Sequence, residues 1–305
     1  MGKATMTSTT DHQQDVRRLL ARLGTAQRSP RQFLHDAYGA MVRPWSAAGP
    51  LPSVIIPGTM RGGTTSLYRY LAGHPQIAPS IKKEVHYFDL HCGRGDDWYR
   101  RQFVRRPGGS AARGFESSPY YMFEPRVPAR VRSLVPDAKL VFLLRDPVER
   151  AFSHYQKNRR DGREPLEFAE AIRAEDERLA GEEERMRHDP AYVSRIHQYY
   201  SYRGRGQYAE QLVRWREHFP EAQTLVLDAA ALYADPRRTL SRVVAFLGLD
   251  PWTPPAFEPH NAGRHGTAPP PEARAMLESH FADHERRLVD LIGWCPSRSG
   301  AAAAA

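Results

Sequence analysis

Cysteine is nearly absent from this chain: Cys92 and Cys295 are its two, far apart in sequence. Isolated thiols of this kind exclude a disulfide framework and a zinc site, so both are expected to be free. Long apolar runs are missing as well. No stretch approaches the ~18 residues that a membrane span needs, and the polar start MGKATMTSTTDHQQD has no apolar h-region of a secretory signal. Met6 stands where a myristoylation motif needs Ser or Thr. The expectation is a cytoplasmic protein without a membrane span.

Acidic residues are the minority charge. Against 44 Lys and Arg there are 35 Asp and Glu, which leaves a net charge of +9 and a pI near 9.7. That balance favours an anionic partner, whether nucleic acid, membrane surface or phosphorylated small molecule. Arginine dominates the cations and suits bidentate phosphate recognition, although a GC-rich coding bias yields the same excess. The 305 residues can bury a substantial core, and no long linker or internal repeat divides them.

What is present centres on Ser53 to Leu71, SVIIPGTMRGGTTSLYRYL. Val54, Ile55 and Ile56 make the short apolar run of a buried parallel strand. Gly58, Gly62 and Gly63 punctuate a loop, and Thr64 opens a segment with Leu67, Tyr68, Tyr70 and Leu71 at helical spacing. A strand, a glycine-rich turn and a helix start make an anion cradle, because backbone N–H groups converge there and glycines permit close approach. A Walker A loop starting at Gly58 would need Lys at position 64, which is Thr64, and the nearby cation is Arg61. The loop therefore reads as phosphate-binding without the lysine that reaches an NTP.

Along the chain, the spacing predicts helices over His12 to Leu23 and Pro30 to Val42, forming an N-terminal extension. Short strands are expected at Gln76 to Ala78 and Gly114 to Glu116, and helices at Asp96 to Phe103 and Arg126 to Leu134. Lys139 to Leu144, KLVFLL, is the clearest strand, apolar enough to be buried on both faces. Arg145 follows it at the carboxyl end, where open α/β sheets bind ligands, and Pro147 fits the first turn of a helix. Pro165 to Arg187 reads as charged and helical, with Glu182, Glu183 and Glu184 on a solvated face. Helix, strand and helix follow at Gly206 to Phe219, Thr224 to Leu227 and Asp235 to Leu247, and a last helix spans Glu272 to Ile292. The alternation indicates α/β: a single P-loop-like domain with a central parallel β-sheet flanked by helices, plus the N-terminal helical extension. The boundaries are 1–50 for the extension, 51–293 for the main domain and 294–305 for a disordered tail.

Three stretches, GTMRGGTTSL (Gly58 to Leu67), KEVHYFD (Lys83 to Asp89) and LLRDPVERAFSHY (Leu143 to Tyr155), resemble the signatures of sulfotransferases that use 3′-phosphoadenosine 5′-phosphosulfate (PAPS). Heparan sulfate sulfotransferases and their bacterial relatives are the subgroup they are most similar to, in order from Pro52 to Gly293. The resemblance implies that Arg61, Gly62, Gly63, Thr64 and Thr65, with Ser66, hold the 5′-phosphosulfate. It implies that Arg145 and Ser153 grip the 3′-phosphate and that Glu84 is the catalytic base. His86 joins Glu84 and Arg61 as a catalytic candidate, as base or acceptor-orienting group. Asn261, Gly263, Arg264 and His265 become candidates for a loop closing over the nucleotide.

Expected partners are PAPS as co-substrate and PAP as product, with no metal, no nucleic acid and an unassigned oligomeric state. The acceptor is expected to be a hydroxyl, with an amine as second choice, on a small molecule, glycoside or glycolipid, in keeping with bacterial natural-product modification. Two departures from the family stand out. Arg61 replaces its usual lysine, and Ser117 follows Glu116 where a second lysine is usual; Lys82, Lys83 or a distant arginine are the substitutes to weigh. The competing readings are a P-loop kinase-like phosphotransferase and a basic nucleic-acid-binding protein.

Overall fold

A computed structural model describes residues 49–103, 112–258 and 268–297. Five parallel strands form one sheet: β1 (Pro52–Gly58), β2 (Ile77–Pro79), β3 (Arg113–Ser117), β4 (Lys139–Leu144) and β5 (Thr224–Asp228), in the order β2-β3-β1-β4-β5. β1 is central. Its Ile55 lies opposite Glu116 of β3 and Leu140 of β4.

The apolar strands are buried on both faces, and their alternation feeds two separate cores. Ile55, Leu140, Phe142 and Leu144 face one side with Trp215 and Val131. Val54, Ile56, Val141 and Leu143 face the other with Leu67, Leu71 and Val243. Side chains of successive strand residues point to opposite faces, so a continuous apolar run supplies both layers at once.

Six longer helices cover the sheet and its ends: α1 (Thr64–Ala72), α2 (Val127–Leu134), α3 (Pro147–Arg160), α4 (Tyr208–Arg216), α5 (Pro236–Leu247) and α6 (Pro271–Ile292). Local chemistry starts and stops them. Asp146 and Asp235 accept from the backbone N–H of Glu149 and Arg238 at 2.8 and 2.9 Å, each one residue before a proline. α5 and α6 end at Gly248 and Gly293, whose φ values of 65° and 84° are left-handed. A third core, with Phe152, Tyr155, Phe168, Tyr200 and Phe281, joins α3 and α6 to the short helices between them.

The strands and helices expected between residues 52 and 292 are found, with ends shifted by a few residues. The segment 165–187 differs. It folds as three short helices, Phe168–Arg173, Glu175–Leu179 and Glu182–His188, the last beginning after Gly181 at φ 73°. Glu182 does not belong to a solvated face; it is fully buried and accepts from Tyr192 at 2.8 Å, from Ser194 and from Arg185. Those hydroxyls arrive from residues downstream, which helical periodicity does not report. The two N-terminal helices, residues 259–267 and residues 298–305 of the tail expected from 294 lie outside the described residues, while Cys295 of that tail is buried in the first core. Among the described residues no helix is long and apolar enough to cross a membrane.

Candidate active site

The loop leaving β1 is fixed to the neighbouring strand: Thr59 N–H donates to the Leu143 carbonyl at 2.8 Å. Gly62 must lack a side chain, because a Cβ there would stand 2.6 Å from Thr59 Cγ2 and 2.9 Å from the Leu143 oxygen. Gly63 sits at φ 89° and caps α1, whose first residues include the buried Thr64 and Ser66 and the half-buried Thr65. The opening N–H groups of a helix have no intrahelical acceptors, so this turn presents donors and positive potential at the carboxyl edge of the sheet.

Arg61 ties that loop to the next strand and helix. Its Nε donates to Ser153 Oγ on α3 at 2.9 Å, and its carbonyl accepts from Arg145 Nη1 at 3.2 Å. Arg145 leaves the end of β4, where Tyr208 OH donates to its carbonyl at 2.7 Å. Its nearest carboxylate, Glu149, is 3.9 Å away and is held at 2.6 Å by Arg274. Burial, then the charges of Arg145 and Arg160, push the Arg61 guanidinium below its ordinary pKa. Among the described residues this cluster of cations has one carboxylate in ion-pair range, Glu149, which Arg145 shares with Arg274.

Glu84 stands beside this cluster, close enough that its charge is felt at Arg61. Its backbone N–H donates to the Ser117 carbonyl at the end of β3, at 3.0 Å. Lys83 Nζ lies 2.6 Å from Glu84 Oε1, and His86 Nε2 lies 3.5 Å from Oε2. The carboxylate remains 46% exposed, so a second molecule can reach it. Burial raises its pKa, but the His86 hydrogen bond and the Lys83 charge outweigh that and hold it well below the usual carboxylate range.

His86 is gripped from its other side. Nδ1 is 2.7 Å from Oδ2 of the buried Asp89, whose Oδ1 accepts from Leu90 N–H at 2.7 Å. Burial disfavours the imidazolium, yet Asp89 and Glu84 together raise its pKa to about 10. Behind this row lies Glu116, fully buried and bonded by Ser118 Oγ at 2.9 Å, by Tyr121 at 3.3 Å and by Tyr99. Burial pushes its pKa up to about 7 in spite of the Tyr99 and Ser118 bonds.

Arg61, Glu84 and His86 are the three non-glycine residues among those described with positive φ, at 69°, 66° and 55°. Each left-handed residue of this kind costs on the order of 1–3 kcal/mol and persists where the surroundings over-determine it, which is commonest at functional sites. The three residues singled out from sequence as catalytic candidates are these same three.

The structure thus gathers Arg61, Gly62, Gly63, Thr64, Thr65, Ser66, Arg145 and Ser153 around one loop, with Glu84 and His86 alongside. Asn261, Gly263, Arg264 and His265 lie outside the described residues. Asp89 was missed in the sequence reading. Its signal is the His-x-x-Asp spacing, which brings the two side chains together on the turn of π-helix at Tyr87–His91. Among the described residues Ser117 Oγ is buried without a partner, and Lys83, one of the substitute cations weighed, contacts Glu84. No group of three His, Cys, Asp or Glu among the described residues could hold a metal ion. Neither Cys92 nor Cys295 is in a disulfide.

Residues 51–254 match the family model of the sulfotransferase domain. Over 274 residues, 79% of this chain, it is 30% identical to the bifunctional heparan sulfate N-deacetylase/N-sulfotransferase 3 of Homo sapiens, and spans 30% of that protein. Over 204 residues, 67% of this chain, it is 33% identical to the human heparan sulfate glucosamine 3-O-sulfotransferase 3B1, and spans 48% of it. The chain therefore covers less than half the length of these two curated relatives. Among solved structures, a sulfotransferase from Alicyclobacillus acidocaldarius superposes with a TM-score of 0.61 at 32% identity, covering 80% of this chain and 96% of the other.

Proposed function

The chain belongs to the sulfotransferase domain family, and from that premise we propose that it transfers the sulfuryl group of PAPS to an acceptor hydroxyl, or secondarily an amine. The observation that carries this reading is the pairing of two cations, Arg61 and Arg145, at a glycine-rich helix start, with an ionised, accessible carboxylate at Glu84 beside them. An anionic nucleotide fits the first part and an acceptor with a proton to lose fits the second.

PAPS supplies a sulfuryl group on a phosphate leaving group; the S–O bond to that phosphate breaks as the acceptor oxygen bonds to sulfur, and PAP departs. The α1 amides with Thr64, Thr65 and Ser66 bind the 5′-phosphosulfate, while Arg145 and Ser153 hold the 3′-phosphate. Arg61 steadies the negative charge that develops on the leaving oxygen, which is electrostatic stabilisation of a transition state by preplaced donors. Glu84 takes the acceptor's proton, a step that contributes typically about 10²- to 10⁴-fold. His86, held charged by Asp89, keeps Glu84 ionised and aimed; Lys83 supplies the cation that Ser117 does not.

Relatives named for heparan sulfate support a carbohydrate acceptor, and we place this chain's acceptor among glycosides, glycolipids and hydroxylated small molecules. The kinase-like alternative gains nothing from the geometry, since Thr64 occupies the Walker lysine position at the start of α1. Calorimetry with PAP tests the proposal. The wild type should bind in the micromolar range or tighter and Arg145→Ala should abolish binding; a wild type indifferent to PAP overturns it.

A further inference from the structure

Behind Arg145 and Ser153 lies a second pair of arginines that touch no solvent. Arg150 on α3 is 0% exposed and Arg205 is 1% exposed. Buried guanidinium groups are normally matched by carboxylates, because an ion removed from water without a counter-ion is strongly destabilising. These two make no ion pair with a described residue. Arg150 donates from Nη2 to the Tyr202 carbonyl, while its Nε and Nη1 have no partner among the described residues. Arg205 donates to the Gln198 carbonyl at 2.6 Å and lies over the Tyr120 ring at 4.7 Å, and its Nε has no partner.

Their place in the fold is specific. Arg150 precedes Ser153 and His154 by one turn on α3, so all three share a face of the helix whose start follows Arg145. His154, also buried, is surrounded by the charges of Arg205, Arg150, Arg61 and Arg163, which after burial itself hold its imidazole neutral. The carboxylate that acts most on Arg150, Glu175, is already engaged by the backbone N–H groups of Arg203 and Gly204 at 2.7 and 2.9 Å, and the one that acts most on Arg205, Asp89, is engaged by His86 at 2.7 Å. A neutral donor would serve the Tyr202 carbonyl equally well. The single hydrogen bond therefore does not account for a full charge at position 150.

We infer that Arg150 is a positioning residue whose buried, unpaired charge holds the 3′-phosphate of the donor nucleotide onto Arg145 and Ser153 without touching it. The inference rests on the donor reading given above. A charge in a low-dielectric layer acts over several ångströms with little screening, so it strengthens binding of an anion at the surface above it. Among the described residues this cation has no ion-pair partner and feels Glu175 only at a distance, and the bound nucleotide supplies the missing countercharge.

The test is Arg150→Met, compared with wild type for binding of PAP and of adenosine 5′-monophosphate, which lacks the 3′-phosphate, and for melting temperature without ligand. The expected result is a free protein at least as stable as wild type, PAP binding weakened about tenfold, and adenosine 5′-monophosphate binding changed far less. A merely structural Arg150 would lower the melting temperature and weaken both ligands alike, and that result, or PAP affinity kept within about twofold, overturns the inference. Arg150→Gln, neutral but able to donate to Tyr202, takes the same comparison if the methionine variant does not fold. Wild-type binding of PAP with an unaffected Arg150→Met removes this inference alone; absence of wild-type binding removes the donor reading beneath it.

Discussion

Arg61 Nε bonds Ser153 Oγ at 2.9 Å across 92 positions of sequence. This contact fastens the loop after β1 to the helix after β4, and it lets a ligand held by one residue be sensed by the other. Removing the hydroxyl in Ser153→Ala should weaken PAP binding about tenfold, the usual scale of a hydrogen bond to a charged group. Calorimetry reads the change, and tighter binding would mean that Ser153 competes with the nucleotide for Arg61.

Arg61→Lys keeps the charge and loses the fork. PAP affinity should stay within about threefold while turnover falls at least about tenfold. Steady-state kinetics beside calorimetry separates the two, and unchanged turnover would show that the guanidinium shape is not used.

For Glu84→Gln the expectation is retained PAP affinity with transfer reduced by about 10²- to 10⁴-fold. Single-turnover transfer to a working acceptor measures it. An unchanged rate removes Glu84 from the base role.

His86 gains its proton affinity from burial outweighed by Asp89 and Glu84, so its pKa rises from 6.5 to about 10. A raised histidine contributes stability that is fully present below about 6.5 and lost as pH climbs through about 10. In Asp89→Asn the imidazole titration followed by NMR should move down toward 6.5, and the alkaline loss of melting temperature should shrink. A titration that stays near 10 would assign the shift to Glu84 alone.

Glu116 behaves oppositely to a salt-bridged carboxylate. Its folded pKa near 7 exceeds the ordinary 4.5, so between these values the folded chain keeps a proton that the unfolded chain has lost. Stability should therefore fall as pH rises through that window and level off above it. Glu116→Gln should flatten this part of the melting curve, and an unaltered slope would mean that another group causes it.

Much of the fold was legible because burial and sequence pattern coincide. KLVFLL reads as a two-faced strand since Leu140 and Phe142 enter one core and Val141 and Leu143 the other. The glycine loop was legible because Gly62 has no room for a Cβ. Asp89 escaped, since its meaning depends on a wide helical turn that periodicity does not announce. Glu182 was misread because its partners Tyr192 and Ser194 come from the next segment. The burial of Arg150 without a carboxylate is a fact of three dimensions; in sequence it is one arginine among many.

The connection between β4 and β5, residues 145–223, is much longer than the sheet requires, and it supplies most of a third core, with Phe152, Tyr155, Phe168 and Tyr200 closed over by Phe281 of α6. Its first turns hold Arg145, Arg150 and Ser153, while the short helices from 168 to 200 follow them. That arrangement makes the connection a module for recombination. Exchanging the stretch from Pro165 to Tyr200 between relatives would leave strand register untouched, but the graft must keep Phe168 and Tyr200 packed on Phe152, Tyr155 and Phe281, because that packing seats the helix that carries Ser153.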